Sequence, residues 1–203
     1  MRFLRLVMIL WLLITALIGS VTLYVRTTSG AGELQELGFG MCDGRPCFMG
    51  ITPGLTQLAD AMAHLEKNGG LCETMRKLDS FGEVRAQCSV GGLDIILGYT
   101  PDTLIVRSLN VMIAAGGPVS VTVGDAVAYW GLPCGFSRES MSFSRYILMY
   151  PYVYLDLGYA DKWIGPGTWV DSILISSFAV PCNRDIAWHG FTVSERYLIR
   201  NDP

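Results

Sequence analysis

VTVGDAVAYWGLP, Val121 to Pro133, is the stretch on which the fold turns. Thr122 is a natural N-cap, Asp125 stands three residues on as the partner of a capping box, and Val123, Val127 and Trp130 recur at helical spacing. Gly131 can adopt the left-handed conformation at a helix end, and Pro133 cannot continue a helix because it lacks an amide hydrogen. The stretch predicts one short helix with a defined start and stop. Downstream, "RYILMYPYVYLDLGY", "WVDSILISSFAV" and "FTVSERYLI" carry strand signals.

Upstream the same order occurs. In "LTQLADAMAHLEKNGG", Thr56 is the expected N-cap, Asp60 sits in the first turn, Leu58, Ala61, Met62 and Leu65 share a helical stripe, and Asn68-Gly69-Gly70 ends it. A second short helix is expected over Glu73 to Phe81. From Val84 the pattern becomes "VRAQCSV", "LDIILGY" and "TLIVRSLNVMIAA", interrupted by turn chemistry at Gly91-Gly92, Thr100-Pro101-Asp102 and Gly116-Gly117-Pro118. Helix then strands, twice over, predicts an α+β fold: two tandem helix-on-antiparallel-sheet units, residues 41–115 and 116–203, behind an N-terminal transmembrane helix.

That helix is expected from Leu6 to Val25, twenty residues without a charge. At about 1.5 Å per residue, such a run crosses roughly 30 Å of hydrocarbon. Only Ile18-Gly19-Ser20 faintly resembles a cleavage site, and no cysteine closely follows the run, so residues 1–25 read as a cytoplasmic tip and an uncleaved signal anchor contacting membrane lipid. Arg2 and Arg5 precede the span and only Arg26 closely follows it, which predicts a cytoplasmic N-terminus, a single pass through the cell membrane and an extracytoplasmic remainder. Residues 26–40, with few large apolar side chains, read as a linker.

From Arg26 onward lie all 18 acidic residues and 13 of the 15 basic ones, a formal charge of −5, with no clustered Lys or Arg. Nucleic-acid binding is therefore not expected, since it depends on basic clusters that release counterions from phosphates. Cys42, Cys47, Cys72, Cys88, Cys134 and Cys182 are even in number and lie beyond the span, as in a disulfide framework. Proximity favours Cys42 with Cys47, Cys72 with Cys88 and Cys134 with Cys182, although six thiols admit fifteen pairings, and buried reduced cysteines are the alternative.

Thr122-Val123-Gly124-Asp125-Ala126-Val127, followed by Trp130-Gly131-Leu132-Pro133, resembles the signature of the SmpA/OmlA family of bacterial envelope lipoproteins, with a partial echo at Gly54-Leu55-Thr56. The resemblance implies a helix-on-sheet architecture shared with the β-lactamase inhibitor protein and a role in envelope assembly. Pro46-Cys47-Phe48-Met49-Gly50-Ile51-Thr52-Pro53-Gly54 also resembles the opening of uncharacterised anchored bacterial proteins.

Reactive chemistry is sparse. The only histidines are His64 and His189, neither in a His or Cys metal-ligand motif, and the Cys42 to Cys47 spacing is too wide for a Cys-x-x-Cys redox dithiol. Phosphate loops, dinucleotide fingerprints and nucleophile elbows are absent from the sequence, so no catalytic, cofactor or metal residue is assigned. Asp60, Asp94, Asp125, Asp156, Asp161, Asp171 and Glu195 show no telling spacing.

Aromatic residues are the better lead. A period of two sends Tyr146, Tyr150, Tyr152 and Tyr154 to one face of a strand and Ile147, Met149, Val153, Leu155 and Leu157 to the other, which makes the tyrosines candidates for an interaction surface. Trp163 and Trp169, on either side of a Gly-Pro-Gly turn, are candidates too. The expected function is a membrane-anchored, non-catalytic protein-binding or assembly module, or a subunit of a membrane complex. The alternative is an extracytoplasmic enzyme or thiol-redox protein built around Cys42 and Cys47.

Overall fold

A computed structural model describes residues 8, 11, 13–15, 31–75, 84–113, 119–139, 145–158, 163–179, 182 and 190–193. Helix α1 (Ala31–Glu36) leads into the hairpin of β1 (Phe39–Cys42) and β2 (Arg45–Phe48). Its two-residue turn, Asp43 and Gly44, has φ of 51° and 76°, the sign a tight right-twisted hairpin needs. Leu34 and Phe39 are buried in the core, so residues 31–40 of the expected linker belong to the fold.

Helix α2 (Leu58–Lys67) buries Leu58, Ala61 and Leu65 along one stripe. Its N-cap is Gln57, which makes no side-chain cap, whereas the hydroxyl of Thr56, the expected cap, accepts from the Thr52 amide at 2.9 Å. The chain then runs through β3 (Leu71–Met75), β4 (Val84–Val90), β5 (Leu93–Tyr99) and β6 (Val106–Met112), each antiparallel to the next. In β4, Val84, Ala86, Cys88 and Val90 are buried while the residues between them are not, the half-buried alternation expected of a sheet with one covered face. The helix expected over Glu73 to Phe81 is corrected at its start: Glu73 to Met75 are strand, because Cys72 lies directly opposite Cys88 and is bonded to it. The remainder of that helix lies outside the described residues.

Helix α3 (Val123–Trp130) opens the second half of the chain, and its ends are as the residues require. The Thr122 hydroxyl accepts from the Asp125 amide at 3.3 Å, the Asp125 carboxylate accepts from the Thr122 amide at 2.9 Å, and Gly131 closes the helix at φ 82°. After it come β7 (Gly135–Glu139), β8 (Arg145–Met149), β9 (Val153–Asp156), β10 (Trp163–Ile164), β11 (Ser172–Ser176) and β12 (Thr192–Val193). β10 and β12 form a separate two-stranded ribbon.

All the other strands from β3 onward make one eight-stranded antiparallel sheet, in the order β3-β4-β5-β6-β11-β9-β8-β7. Cys88, Ile95, Val111, Ile173, Leu155, Leu148 and Phe136 are register partners across seven of these strands, and all are buried. They share one core with Leu34, Phe39, Leu58, Ala61, Val123 and Ala126 from the helices and the first hairpin. The opposite face carries the row Gln87, Ile96, Asn110, Leu174, Tyr154 and Met149, all half-buried.

The expected fold class is thereby corrected. The molecule is mostly β-sheet, with short helices and one eight-stranded sheet running through both halves, instead of a transmembrane helix followed by two helix-on-sheet units. The joint is the pairing of Ser108–Met112 in β6 with Ser172–Ser176 in β11, which removes two exposed sheet edges and merges what would have been two cores. The single-pass membrane placement is corrected as well: among the described residues no helix is long and apolar enough to cross a membrane. Of Leu6 to Val25, only Met8, Trp11 and residues 13–15 are described, as helix, and the rest lie outside the described residues.

All six cysteines are disulfide-bonded, Cys42 to Cys47, Cys72 to Cys88 and Cys134 to Cys182. The first closes the β1–β2 hairpin and the second ties the edge strand β3 to β4. The third spans 48 positions in the chain.

Candidate functional site

The sharp stop of α3 leaves Tyr129 and Trp130 at the end of that helix, facing two other elements. Around them stand Met41, Gly44 and Pro46 of the disulfide-closed hairpin, and Tyr150, Pro151, Tyr152 and Val153 of the β8–β9 turn, enclosing a cavity of about 580 Å³. Its walls are aromatic and apolar. The Trp130 ring meets Phe39 edge-on and Tyr150 at a tilt, each with centroids 5.8 Å apart, while the Tyr129 hydroxyl donates to the Phe39 carbonyl at 3.0 Å.

Two polar atoms lie just behind this apolar lining. The Trp130 indole Nε1 and the Tyr150 hydroxyl are both buried, and among the described residues neither has a hydrogen-bond partner. Burial pushes the Tyr150 phenol far above its ordinary range and raises that of Tyr129 by the same cause. Neither phenol ionises near neutrality, so neither can act as a base; Tyr129 gives its hydrogen to the Phe39 carbonyl, and that of Tyr150 is unused. The chemistry available here is recognition through aromatic contact area.

A second, smaller cleft of about 290 Å³ adjoins the first and is lined in part by Arg45, Arg107, Ser177 and Phe178. Arg45 belongs to β2, and its guanidinium lies 5.7 Å from the ring centroid of Tyr152, a wall of the aromatic pocket. Arg107 is placed by a bulge. Tyr99 pairs with Val106 and Gly98 with Ser108, so Arg107 is an extra residue in β6, and it turns with Ser108 away from the buried Val106 and Leu109.

The tyrosine ladder divides. Tyr146 and Tyr150, 7% and 3% exposed, lie in the core, where Tyr146 stacks on Phe136 at 5.6 Å; Tyr154 is half-buried on the other side of the sheet, and Tyr152 is half-buried in the turn, where it walls the aromatic pocket. The reason is the turn at Tyr150, Pro151 and Tyr152, which reverses the chain and shifts the alternation, so that even-numbered residues face inward in β8 and odd-numbered ones in β9. Trp163 and Trp169, 55% and 50% exposed, flank a turn in which the Gly165 amide donates to the Thr168 hydroxyl at 2.9 Å. That turn docks on the start of α3, where the Gly124 amide donates to the Pro166 carbonyl.

Among the carboxylates, Asp156 and Asp171 come together beside Arg145, which is ion-paired with Asp156. His64 is exposed on α2, and His189, Asp161 and Glu195 lie outside the described residues. Among the described residues no group of three or more His, Cys, Asp or Glu could hold a metal ion. Sequence reading passed over Trp130 as a site residue because its spacing from Val123 and Val127 marks a core stripe, and it passed over Arg45 and Arg107 because they are far apart in the chain. No protein-family model, curated protein or solved structure matches the chain.

Proposed function

We propose that this protein is a non-catalytic binding module that takes an apolar side chain of a protein partner into the pocket between α3, the β1–β2 hairpin and the β8–β9 turn. One observation carries the reading: three elements bring the rings of Tyr129, Trp130, Tyr150 and Tyr152 around one concavity, and just behind its surface Trp130 Nε1 and the Tyr150 hydroxyl are buried without an acceptor among the described residues. Buried donors are nearly always satisfied, and leaving one unmade costs about 1–3 kcal/mol. A partner's backbone carbonyl supplies the missing acceptor once the Trp130 and Tyr150 side chains turn toward it, while its side chain covers the aromatic walls, the combination typical of an interface anchor. The assembly role implied by the resemblance at Thr122 to Pro133 belongs to the same class of function, and the disulfides suit folding in an oxidising compartment.

The test is a titration of the ¹⁵N-labelled chain with N-acetyl-phenylalanine amide, which offers an apolar ring and two carbonyls. The five tryptophans give indole signals in one region of the spectrum, and Trp130→Phe assigns the relevant one. Saturable movement of the Trp130 indole signal is expected, with affinity about fivefold weaker in Tyr150→Phe, the worth of one hydrogen bond. A Trp130 signal that stays fixed at saturating probe, in a protein that remains folded, sinks the reading.

A further inference from the structure

Arg45 and Arg107 line one cleft, and among the described residues neither has a carboxylate within ion-pair distance. The chain as a whole carries a formal charge of −3, so two uncompensated guanidinium groups in one concavity run against its overall sign. Each is held over an aromatic ring, Arg45 over Tyr152 and Arg107 over Phe178 at 5.2 Å from the centroid. Such stacking fixes the plane of a guanidinium and leaves its N–H edge free to bond. Ser177 also lines the cleft, but its hydroxyl is buried behind the wall, without a partner among the described residues.

The backbone keeps this space open. Gly54 has φ +88°, and a Cβ there would stand 3.1 Å from Ser177 Cβ and 3.5 Å from Arg45 Nη1, between the serine and the arginine. Two forked donors with a gap between them match a planar anion such as a carboxylate, which accepts paired N–H bonds from arginine. The cleft is also joined to the aromatic pocket, because Arg45 walls the first and packs on Tyr152, which walls the second.

We infer that the two concavities form one bipartite site, and that the partner segment seated there carries an acidic side chain close in sequence to its apolar anchor. The inference rests on the protein-binding reading of the aromatic pocket and adds the chemical class of the segment. The carboxylate lies between the guanidinium groups of Arg45 and Arg107, while the neighbouring apolar side chain fills the space beside Trp130. Pairing across this site draws a negatively charged segment toward an otherwise acidic protein, so attraction depends on local charge and weakens with salt.

The same labelled chain tests this with acetyl-Phe-Glu-amide and acetyl-Phe-Gly-Glu-amide, each against its Gln counterpart. Arginine Nε–Hε signals, assigned with Arg45→Lys and Arg107→Lys, report the cleft, and the Trp130 indole reports the pocket. At least one Glu peptide is expected to move both sets of signals and to bind about tenfold tighter than its Gln counterpart, the difference that charge assistance makes. That preference should shrink in high salt and disappear in Arg107→Gln, or fall in Arg107→Lys should the first variant fail to fold. Equal binding of Glu and Gln peptides, with Trp130 moving in both, overturns the acidic segment and leaves the pocket standing. Arginine signals that respond to Glu peptides or to inorganic phosphate while Trp130 stays silent overturn the bipartite site and the pocket reading together.

Discussion

Tyr150 is the residue at which stability and recognition pull apart. Its ring completes the core beneath the β8–β9 turn, yet its hydroxyl is buried with no partner among the described residues. Tyr150→Phe keeps the ring and removes only that group, so it should leave the folded protein unchanged in stability or firmer by up to about 1 kcal/mol in urea unfolding. The same variant weakens the probe, a combination that a purely structural tyrosine would not show. Sequence pattern could mark the four tyrosines as strand residues but could not separate them. Alternation is a local property, and Pro151 moves it out of phase within a single turn. Asp171 has the opposite character: burial, followed by the nearby charge of Asp156, raises its pKa from 3.8, with Arg145 opposing. The folded state then holds this proton more tightly than the unfolded chain, and stability falls as pH rises from about 3.8 through the raised value. Asp171→Asn removes that fall, so melting curves across the acid range should show its advantage over wild type growing with pH and then levelling. An advantage constant with pH would contradict the assignment.

Helix α3 is the element whose limits were most legible, because Thr122, Asp125, Gly131 and Pro133 each act within a turn of their own position. The capping box satisfies donors that water cannot easily reach, since Val121 and Val123 on either side of Thr122 are buried. Thr122→Ala should cost about 1–2 kcal/mol in thermal or urea unfolding, and Thr122→Ser much less. Thr56→Ala provides the contrast. That hydroxyl holds the Thr52 amide in the turn before α2 and caps nothing, so its loss should act on the loop at Thr52 to Thr56 without shortening the helix, as amide exchange would reveal. Sequence put the cap one residue early there because Thr outranks Gln as a capping type, and the loop had a prior use for it. The reach of Arg107 was not legible at all. A bulge arises from the register of two strands, and nothing in the residues of β6 alone tells which of them will be the extra one.

At the scale of the molecule, the β6–β11 seam decides how the halves behave. Each half offers strands buried on one face, and only their pairing makes a continuous sheet with one core, a contact between distant segments that local periodicity cannot encode. Unfolding of wild type should therefore be a single cooperative transition, with tryptophan fluorescence and backbone circular dichroism coinciding in urea. The disulfides act on the same balance through the unfolded chain, and the loops they close rank their effects. Sequence separations of 5, 16 and 48 correspond to roughly 2, 3 and 4 kcal/mol in the chain-entropy treatment. Replacing Cys134 and Cys182 together by Ala should thus lower stability most. Replacing Cys42 and Cys47 should lower it least while loosening the hairpin that carries Arg45 and rims the aromatic pocket. Affinity for the peptide probes should show the reverse ranking, with the Cys42 and Cys47 pair costing more than the Cys134 and Cys182 pair. Parallel rankings in stability and affinity would mean that binding follows global folding alone, and that the short bridge has no part in shaping the site.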